Sequence, residues 1–284
     1  ISLVENALLL LSTAQEHVDH KYVLYSPTSI DHMKRMANIS VGLNQAVQND
    51  MKDFYIAIQP MLSAHDSSMV GGEVLLRWKY EGVNVSPKIF IPLLDDGNIV
   101  QTVGRWVFEE TVRICRRIVV HHPDFKLSFN VSSEQIKDWT LLDFMDSTLQ
   151  KYHVNGSNLI ADLAGSSPHD HPEQLATFVE HCNHLGIQVA LDDSGTQSSS
   201  LDTLLRHPAH IVKLDRSILS EREDSTDLLY SIVYACHRAG KLVCMEGVET
   251  DKQHQLAVEA GCDLLQGFLY HKPMDPNDLY HLLV

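Results

Sequence analysis

Short apolar runs rich in β-branched residues recur along the chain from residue 54 onward. Runs of this length and composition are typical of β-strands. The eight runs lie at 54–59, 70–78, 127–131, 159–163, 187–191, 210–214, 242–245 and 263–266. Helical patterns separate most of them, at 104–119, 141–152, 172–185, 227–239 and 250–260. This alternation predicts βα units, a mainly parallel sheet and a (β/α)₈ barrel.

The connection between the first two predicted strands differs from the others. Residues 60–69 carry no helical pattern, whereas a parallel crossover needs about a dozen residues or more and usually contains a helix. We therefore expect the first strand of the barrel to run antiparallel to the second.

Residues 1–45 differ in pattern from the rest of the chain. A helical pattern at 3–17, a short strand at 22–25 and a second helix at 29–41 precede the barrel pattern. This region is interpreted either as a linker with the tail of a preceding domain, or as a simple N-terminal extension of a main domain at 46–284. Because the chain starts with Ile1, it is expected to be a piece of a longer protein.

Neither a membrane helix nor a secretory signal is expected from the pattern of this sequence. The longest uncharged apolar run, at 7–14, is far shorter than the ~20 residues of a membrane helix. The start of the chain lacks the basic region and cleavage site of a secretory signal. A cytoplasmic location is therefore expected.

Charge and cysteine usage narrow the class of function. A net charge of −15 disfavours binding to a long nucleic acid, although a small anion can still bind where metal ions reverse the local charge.

The five scattered cysteines form no CxxC pair, which favours reduced, buried thiols over disulfides or a zinc site. His121-His122 and His169-Asp170-His171 are interpreted as solvated loop residues rather than metal ligands, because no HExxH pair is present.

Polar side chains recur near the ends of the predicted strands, where a purely structural barrel would carry Val or Ile. A buried carboxylate is costly unless it is paired or bound to a metal ion. Because the carboxyl ends of barrel strands meet at one mouth, we expect these groups to gather there. A set of oxygen ligands without sulfur is typical of a site for Mg²⁺ or Mn²⁺. Two adjacent aspartates favour a site with two such ions. Any single one of these residues could instead form a structural ion pair. The residues are Gln59, Glu73, Asn130, Asp162, Asp192, Asp193, Lys213, Glu246 and Gln266.

Seven motifs follow one another along the chain. The first, Glu73-Val-Leu-Leu-Arg77, has the pattern ExLxR. The others are Phe90-Ile-Pro-Leu with Gly104-Arg-Trp-Val, Asn130-Val-Ser, Leu191-Asp-Asp-Ser-Gly-Thr, Lys213-Leu-Asp215, Glu246-Gly-Val-Glu249-Thr, and Gln266-Gly with Lys272-Pro. In this order they resemble the EAL family of cyclic di-GMP phosphodiesterases, and the resemblance covers residues 54–284.

The resemblance implies an activity and a set of roles. Members of the family cut one phosphodiester bond of cyclic di-GMP to give linear pGpG, with one or two Mg²⁺ or Mn²⁺ ions. The implied catalytic residues are Glu73, Asp193, Lys213 and Glu246, with Lys213 placing the attacking water. The implied metal ligands are Glu73, Asn130, Asp162, Asp192, Asp193 and Glu246. The implied substrate-binding residues are Gln59, Arg77, Asp215, Glu249 and Gln266, with Arg77 on a phosphate oxygen. A homodimer and an upstream GGDEF or sensor domain are also implied.

Two parts of the chain depart from the family pattern. Asp162 stands where a longer, metal-binding glutamate is expected, and Gly165 where a second glutamate normally braces the following loop. In that loop Ser194, Gln197 and Ser198 replace the usual Phe, Gly and aromatic residue. Two interpretations stay open: a phosphodiesterase of weakened activity, and an inactive receptor that binds cyclic di-GMP. Binding is expected to survive more readily than turnover, because a misplacement of about 1 Å can cost about 10²-fold in rate.

The missing brace at Gly165 yields a first prediction. If its absence limits the rate, Gly165→Glu should raise pGpG formation from cyclic di-GMP by up to about 10²-fold, because the loop that carries Asp193 would regain its support. The measurement is a turnover assay in excess Mn²⁺. An unchanged rate would show that the absent carboxylate does not limit turnover.

Overall fold

The computed structural model describes residues 27–94, 99–164, 172–194, 208–219 and 223–284. The chain divides into two compact units, one of Ile1–Phe54 with Trp78–Ile99 and one of Tyr55–Arg77 with Val100–Val284. The predicted helix at 3–17 and strand at 22–25 lie outside the described residues, as do Gly165 and residues 195–198.

The first unit contains helix α1 (Pro27–Gln48), the end of strand β2 (Met69–Tyr80), strand β3 (Val83–Val85) and helix α2 (Pro87–Leu94). Aromatic rings hold it together: Phe54 stacks on Trp78 at 5.9 Å, and Phe90 meets Trp78 edge-on at 6.0 Å. Helix α1 confirms the helix predicted at 29–41 and extends beyond it at both ends. The β2–β3 hairpin and α2 were not predicted, since both are short and α2 contains Pro92.

The second unit contains all eight predicted strands, closed into a barrel. Strand β1 (Phe54–Ser63) pairs with β2 on one side and with the last strand on the other, so no edge is left open. The remaining barrel strands are β4 (Lys126–Val131), β5 (Leu159–Ala164), β6 (Gln188–Ser194), β7 (Ile211–Leu214), β8 (Leu242–Met245) and β9 (Leu264–Leu265). The predicted (β/α)₈ barrel is confirmed.

The direction of the first strand also follows the prediction. Strand β1 is antiparallel to β9, whereas β9, β8, β7, β6, β5, β4 and β2 are parallel to one another in that order. Therefore β1 runs opposite to β2. The link is shorter than predicted because β1 continues to Ser63, and the turn closes with Ser63 N donating to Ser68 O.

Amphipathic helices cover the outside of the barrel. Phe108, for example, meets Phe129 on the outer face of β4 edge-on at 5.0 Å. The helices are α3 (Ile99–Val119), α4 (Ser133–Ile136), α5 (Thr140–Tyr152), α6 (Pro172–Leu185), α7 (Glu223–Arg238), α8 (Asp251–Glu259) and α9 (Pro276–Leu283), with 3₁₀ turns at Gly156–Asn158 and Arg216–Leu219. None of the helices within the described ranges is long and apolar enough to cross a membrane.

The five cysteines are free and buried, as predicted. Burial raises the pKa of Cys115, Cys182 and Cys262 to about 12, so these thiols stay protonated and unreactive.

An apolar layer fills the barrel interior, and we call it the floor. It consists of Met61, Ile160, Ala190, Ile211 and Cys244, with Leu264 packed against it. Each floor residue on β5 to β9 lies two positions before a polar residue of the predicted set. Residues two apart on a strand share a face. The predicted polar side chains of these strands therefore stand directly above a dry apolar layer, at the carboxyl ends of the strands.

A glycine after β9 permits a close backbone approach at this mouth. A Cβ atom on Gly267 would lie 2.0 Å from the Val248 carbonyl oxygen. We expect Gly267→Ala to lower the free energy of unfolding by about 2–3 kcal/mol, because backbone must move to make room. Equilibrium unfolding in urea measures this change.

Gly240→Ala is the matched control. Gly240 has a φ of +73°, and in the described part of the chain no atom beyond its two sequence neighbours lies within 4 Å of the place that an alanine Cβ would take. We therefore expect Gly240→Ala to lower the free energy of unfolding by only about 1–2 kcal/mol, through backbone strain. A Gly267→Ala variant that is no less stable than Gly240→Ala would contradict the close-approach explanation.

Candidate active site

The polar residues above the floor converge on one buried amine. Lys213 is 2% exposed, and its Nζ lies 2.7 Å from Glu246 Oε1 and 3.0 Å from Asp162 Oδ2. Glu73 Oε2 follows at 3.6 Å and Asp192 Oδ1 at 3.9 Å. These five residues, the Lys213 cluster, come from five different barrel elements.

Two amides hold Glu73 in place within the cluster. Asn130 Nδ2 donates to Glu73 Oε1 at 3.1 Å, and Gln266 Nε2 donates to Glu73 Oε2 at 2.8 Å. Because both oxygens accept hydrogen bonds, the carboxylate orientation is fixed. Asn130 itself is exposed, so this part of the cluster opens to the barrel mouth.

Burial and mutual charge shift the pKa values of the cluster in different directions. Burial raises the pKa of Asp162 to about 7 and that of Glu246 well above its usual range, although Lys213 opposes both shifts. At Glu73, burial is outweighed by Lys213, Asn130 and Gln266, and the pKa falls. The surrounding carboxylates similarly outweigh burial at Lys213 and raise its pKa well above 10.5. Lys213 therefore stays charged at neutral pH.

The cluster carries more negative charge than one lysine compensates. Four carboxylates face a single ammonium group, an excess of three formal charges when all are ionised. Buried oxygens without a hydrogen bond in the described residues include Asp162 Oδ1 and Gln266 Oε1. An oxygen-only donor set with surplus negative charge fits a hard divalent cation.

The carboxylates nevertheless converge on the ammonium group and not on a common open point. Across the described ranges, no three His, Cys, Asp or Glu side chains are arranged to hold a metal ion as they stand. The oxygen donors fit a hard divalent cation in kind, but in this arrangement they surround Lys213.

The remaining predicted site residues lie outside the Lys213 cluster. Gln59 Nε2 donates to the His271 carbonyl, and the Arg77 guanidinium donates to the Leu76 carbonyl. Asp215 accepts from the Ser217 backbone, and Glu249 pairs with Arg216 at 2.5 Å. Asp193 lies on β6, but its side chain is outside the described part of the structure.

Two residues near the site were missed by sequence reasoning. Ser128 is 1% exposed and close enough to Asp162 to lower its pKa, and its position two residues before Asn130 could have signalled that both share a face. Arg216 forms an ion pair with Glu249. In the sequence, its position next to Asp215 was the only indication that it lies near the site.

The family follows from comparison with known proteins. The family model described as the EAL domain matches residues 42–273, which include the whole Lys213 cluster. The chain belongs to the EAL domain family. The EAL motifs at Glu73, Asn130, Lys213 and Glu246 thus coincide with the residues that the barrel brings together.

Two proteins named as cyclic di-GMP phosphodiesterases resemble the chain over most of its length. The bifunctional diguanylate cyclase/cyclic di-GMP phosphodiesterase MucR of Pseudomonas aeruginosa is 29% identical over 283 residues, 98% of this chain and 41% of MucR. The cyclic di-GMP phosphodiesterase RocR of the same organism is 26% identical over 229 residues, 79% of this chain and 58% of RocR. The chain therefore spans well under two thirds of the length of these relatives.

A solved EAL structure supports the same fold. The structure of the PaMucR phosphodiesterase in its c-di-GMP complex superimposes with a TM-score of 0.78 at 29% identity, covering 85% of this chain and 99% of that one. The barrel of this EAL domain is thus shared with a protein solved with cyclic di-GMP.

The buried amine yields a stability prediction. Lys213→Met should lower the free energy of unfolding by about 3 kcal/mol in metal-free buffer, because the carboxylates lose their shared cation. Urea unfolding in the presence of a chelator is the measurement. Lys252→Met, on the exposed face of α8, is the control and should change stability by about 0.5 kcal/mol or less. Equal stability of both variants would contradict a cluster held together by Lys213.

Proposed function

We propose that this EAL domain hydrolyses one phosphodiester bond of cyclic di-GMP to linear pGpG with the help of Mg²⁺ or Mn²⁺. The observation that carries the proposal is the Lys213 cluster, in which four carboxylates from separate barrel elements meet one amine at the mouth. Relatives named as cyclic di-GMP phosphodiesterases, MucR and RocR, support the choice of substrate.

The proposed metal ligands are Glu73, Asn130, Asp192 and Glu246, whose side chains are the more exposed oxygen donors of the site, together with Asp193, which follows Asp192 on β6. A bound divalent ion at such a site lowers the pKa of a coordinated water and offsets the charge of the phosphate in the transition state.

The protein groups then position the reactants for an in-line displacement. The water oxygen bonds to phosphorus and gives up one proton as the P–O3′ bond breaks, and the departing 3′ oxygen takes up one proton, so that a 5′-phosphate and a 3′-hydroxyl result. Lys213 remains an ammonium group, so it acts as a hydrogen-bond donor to the water or a phosphate oxygen and not as a base. Arg77 offers a fork of N–H donors to a phosphate oxygen, and Glu73 is kept ionised and oriented by Asn130 and Gln266.

We propose outer contacts to the substrate from Gln59, Asp215 and Glu249. Asp215 and Glu249 follow β7 and β8 at the carboxyl ends of the strands, on the side where barrel enzymes bind their ligands. The Arg216–Glu249 pair gives this rim a fixed carboxylate that could accept hydrogen bonds from a guanine edge.

A receptor without turnover is the second candidate. It is favoured by Asp162, which is fully buried against Lys213 although a longer, metal-binding glutamate was expected at its position. A site short of one metal ligand could bind the dinucleotide and still fail to activate water.

The full-length protein is proposed to carry a further signalling domain. The chain spans 41% of MucR, which is named as a diguanylate cyclase as well as a phosphodiesterase. An upstream GGDEF or sensor domain is consistent with that length. The homodimer, the cytoplasmic location and the boundary near residue 45 stay predictions.

The deciding experiment is turnover of cyclic di-GMP with Glu73→Gln as the test variant. Wild-type protein with excess Mg²⁺ or Mn²⁺ should release pGpG, and Glu73→Gln should reduce kcat by about 10²–10³-fold, since an oriented charged ligand is lost. Glu180→Gln, on the exposed face of α6, is the control and should match the wild type.

Binding measured by calorimetry separates the two candidates. Binding of cyclic di-GMP without pGpG after hours would support the receptor and end the enzyme proposal. Absence of binding, with and without metal, would contradict both.

A further inference from the structure

We infer that Asp162 positions Lys213 beneath the reaction centre and does not ligate a metal ion in this chain. The inference rests on the proposed function, and it assigns a different task to a residue that occupies a metal-ligand position of the EAL pattern.

Exposure separates Asp162 from the other acids of the cluster. The side chains of Glu246, Asp192 and Glu73 are 20%, 18% and 11% exposed. The Asp162 side chain is 0% exposed. A metal ion that enters from the mouth and exchanges water there meets the exposed acids, whereas Asp162 lies beneath them.

The sheet register explains this depth. Asp162 pairs with Asn130 on β4, and Ser128 pairs with Ile160 of the floor. On its other side Asp162 pairs with Ala190 of the floor, and Asp192 lies two residues, about 6.6 Å along β6, beyond Ala190 toward the mouth. The backbone of Asp162 is therefore one layer deeper than that of Asp192.

The contacts of Asp162 also place its carboxylate beneath the exposed acids. Lys213 Nζ donates to Asp162 Oδ2 at 3.0 Å, a charged hydrogen bond between two fully enclosed groups. On the Ser128 side, the hydroxyl is near enough to lower the pKa of Asp162, although Ser128 Oγ and Asp162 Oδ1 make no hydrogen bond of good geometry. The hydrogen bond from Lys213 therefore holds the carboxylate below the mouth.

The aspartate side chain is too short to contact Lys213 and also ligate a metal ion at the mouth. Aspartate is one methylene shorter than glutamate, which shortens its reach by about 1.5 Å. An aspartate that is hydrogen-bonded to Lys213 falls short of an ion held among the exposed acids Glu73, Asp192 and Glu246. Asp162 then acts on the reaction through the position of the Lys213 ammonium group.

The experiment compares Asp162→Asn with Asp192→Asn by calorimetric titration with Mn²⁺ alone. Asp162→Asn should bind Mn²⁺ within about threefold of the wild type, because no ligand is lost. Asp192→Asn should bind at least about tenfold more weakly. Asp162→Asn should also lower kcat for cyclic di-GMP by about tenfold or more with KM unchanged, because the ammonium group is displaced only from its place in the transition state.

A loss of Mn²⁺ affinity in Asp162→Asn as large as in Asp192→Asn would overturn the inference, as would an unchanged kcat. A wild-type protein that binds no Mn²⁺ would instead refute the proposed function. Should Asp162→Asn fail to fold by circular dichroism, Asp162→Glu decides: tighter Mn²⁺ binding than in the wild type supports the inference, because the longer side chain adds a ligand that Asp162 does not supply, and unchanged Mn²⁺ affinity overturns it.

Discussion

The site depends on the attraction between one buried ammonium group and the four carboxylates around it. Without Lys213, the acids would repel one another in an interior from which water is excluded, and with it they are held within 4 Å of one nitrogen atom. Because the cluster keeps an excess of negative charge, it stays receptive to a further cation. The same interaction thus supports both the folded barrel and its capacity to bind metal.

The barrel supplies the geometry that this interaction needs. The floor of apolar side chains excludes water from below, so the acids can open only toward the mouth. Glu73 on β2 is fixed by amides from both sides of the closed sheet, Asn130 on the adjacent β4 and Gln266 after β9, which lies beyond β1. A catalytic constellation built on strands in this way is held more firmly than one built on loops.

Much of this arrangement was predictable from the sequence. Alternating strand and helix patterns predicted the eight-stranded barrel, and the short link before Met69 predicted the reversed first strand. Polar residues at strand ends predicted the set that surrounds Lys213, because strands in a barrel share one mouth. The depth of each side chain was not predictable: Asp162 and Asp192 look alike in sequence, yet one is enclosed and the other reaches solvent. That difference depends on register between β4, β5 and β6, which sequence periodicity does not specify. Ser128 was overlooked for the same reason, since a serine in a strand carries no signal until its buried neighbour is known.

The most direct test of the account is a crystal structure of this domain grown with Mn²⁺ and cyclic di-GMP, with the metal located by anomalous scattering. The account predicts an anomalous peak at the barrel mouth, about 2.1 Å from oxygens of Glu73, Asp192 and Glu246 and next to a phosphate of the dinucleotide. A peak elsewhere, or a dinucleotide bound away from these acids, would contradict it.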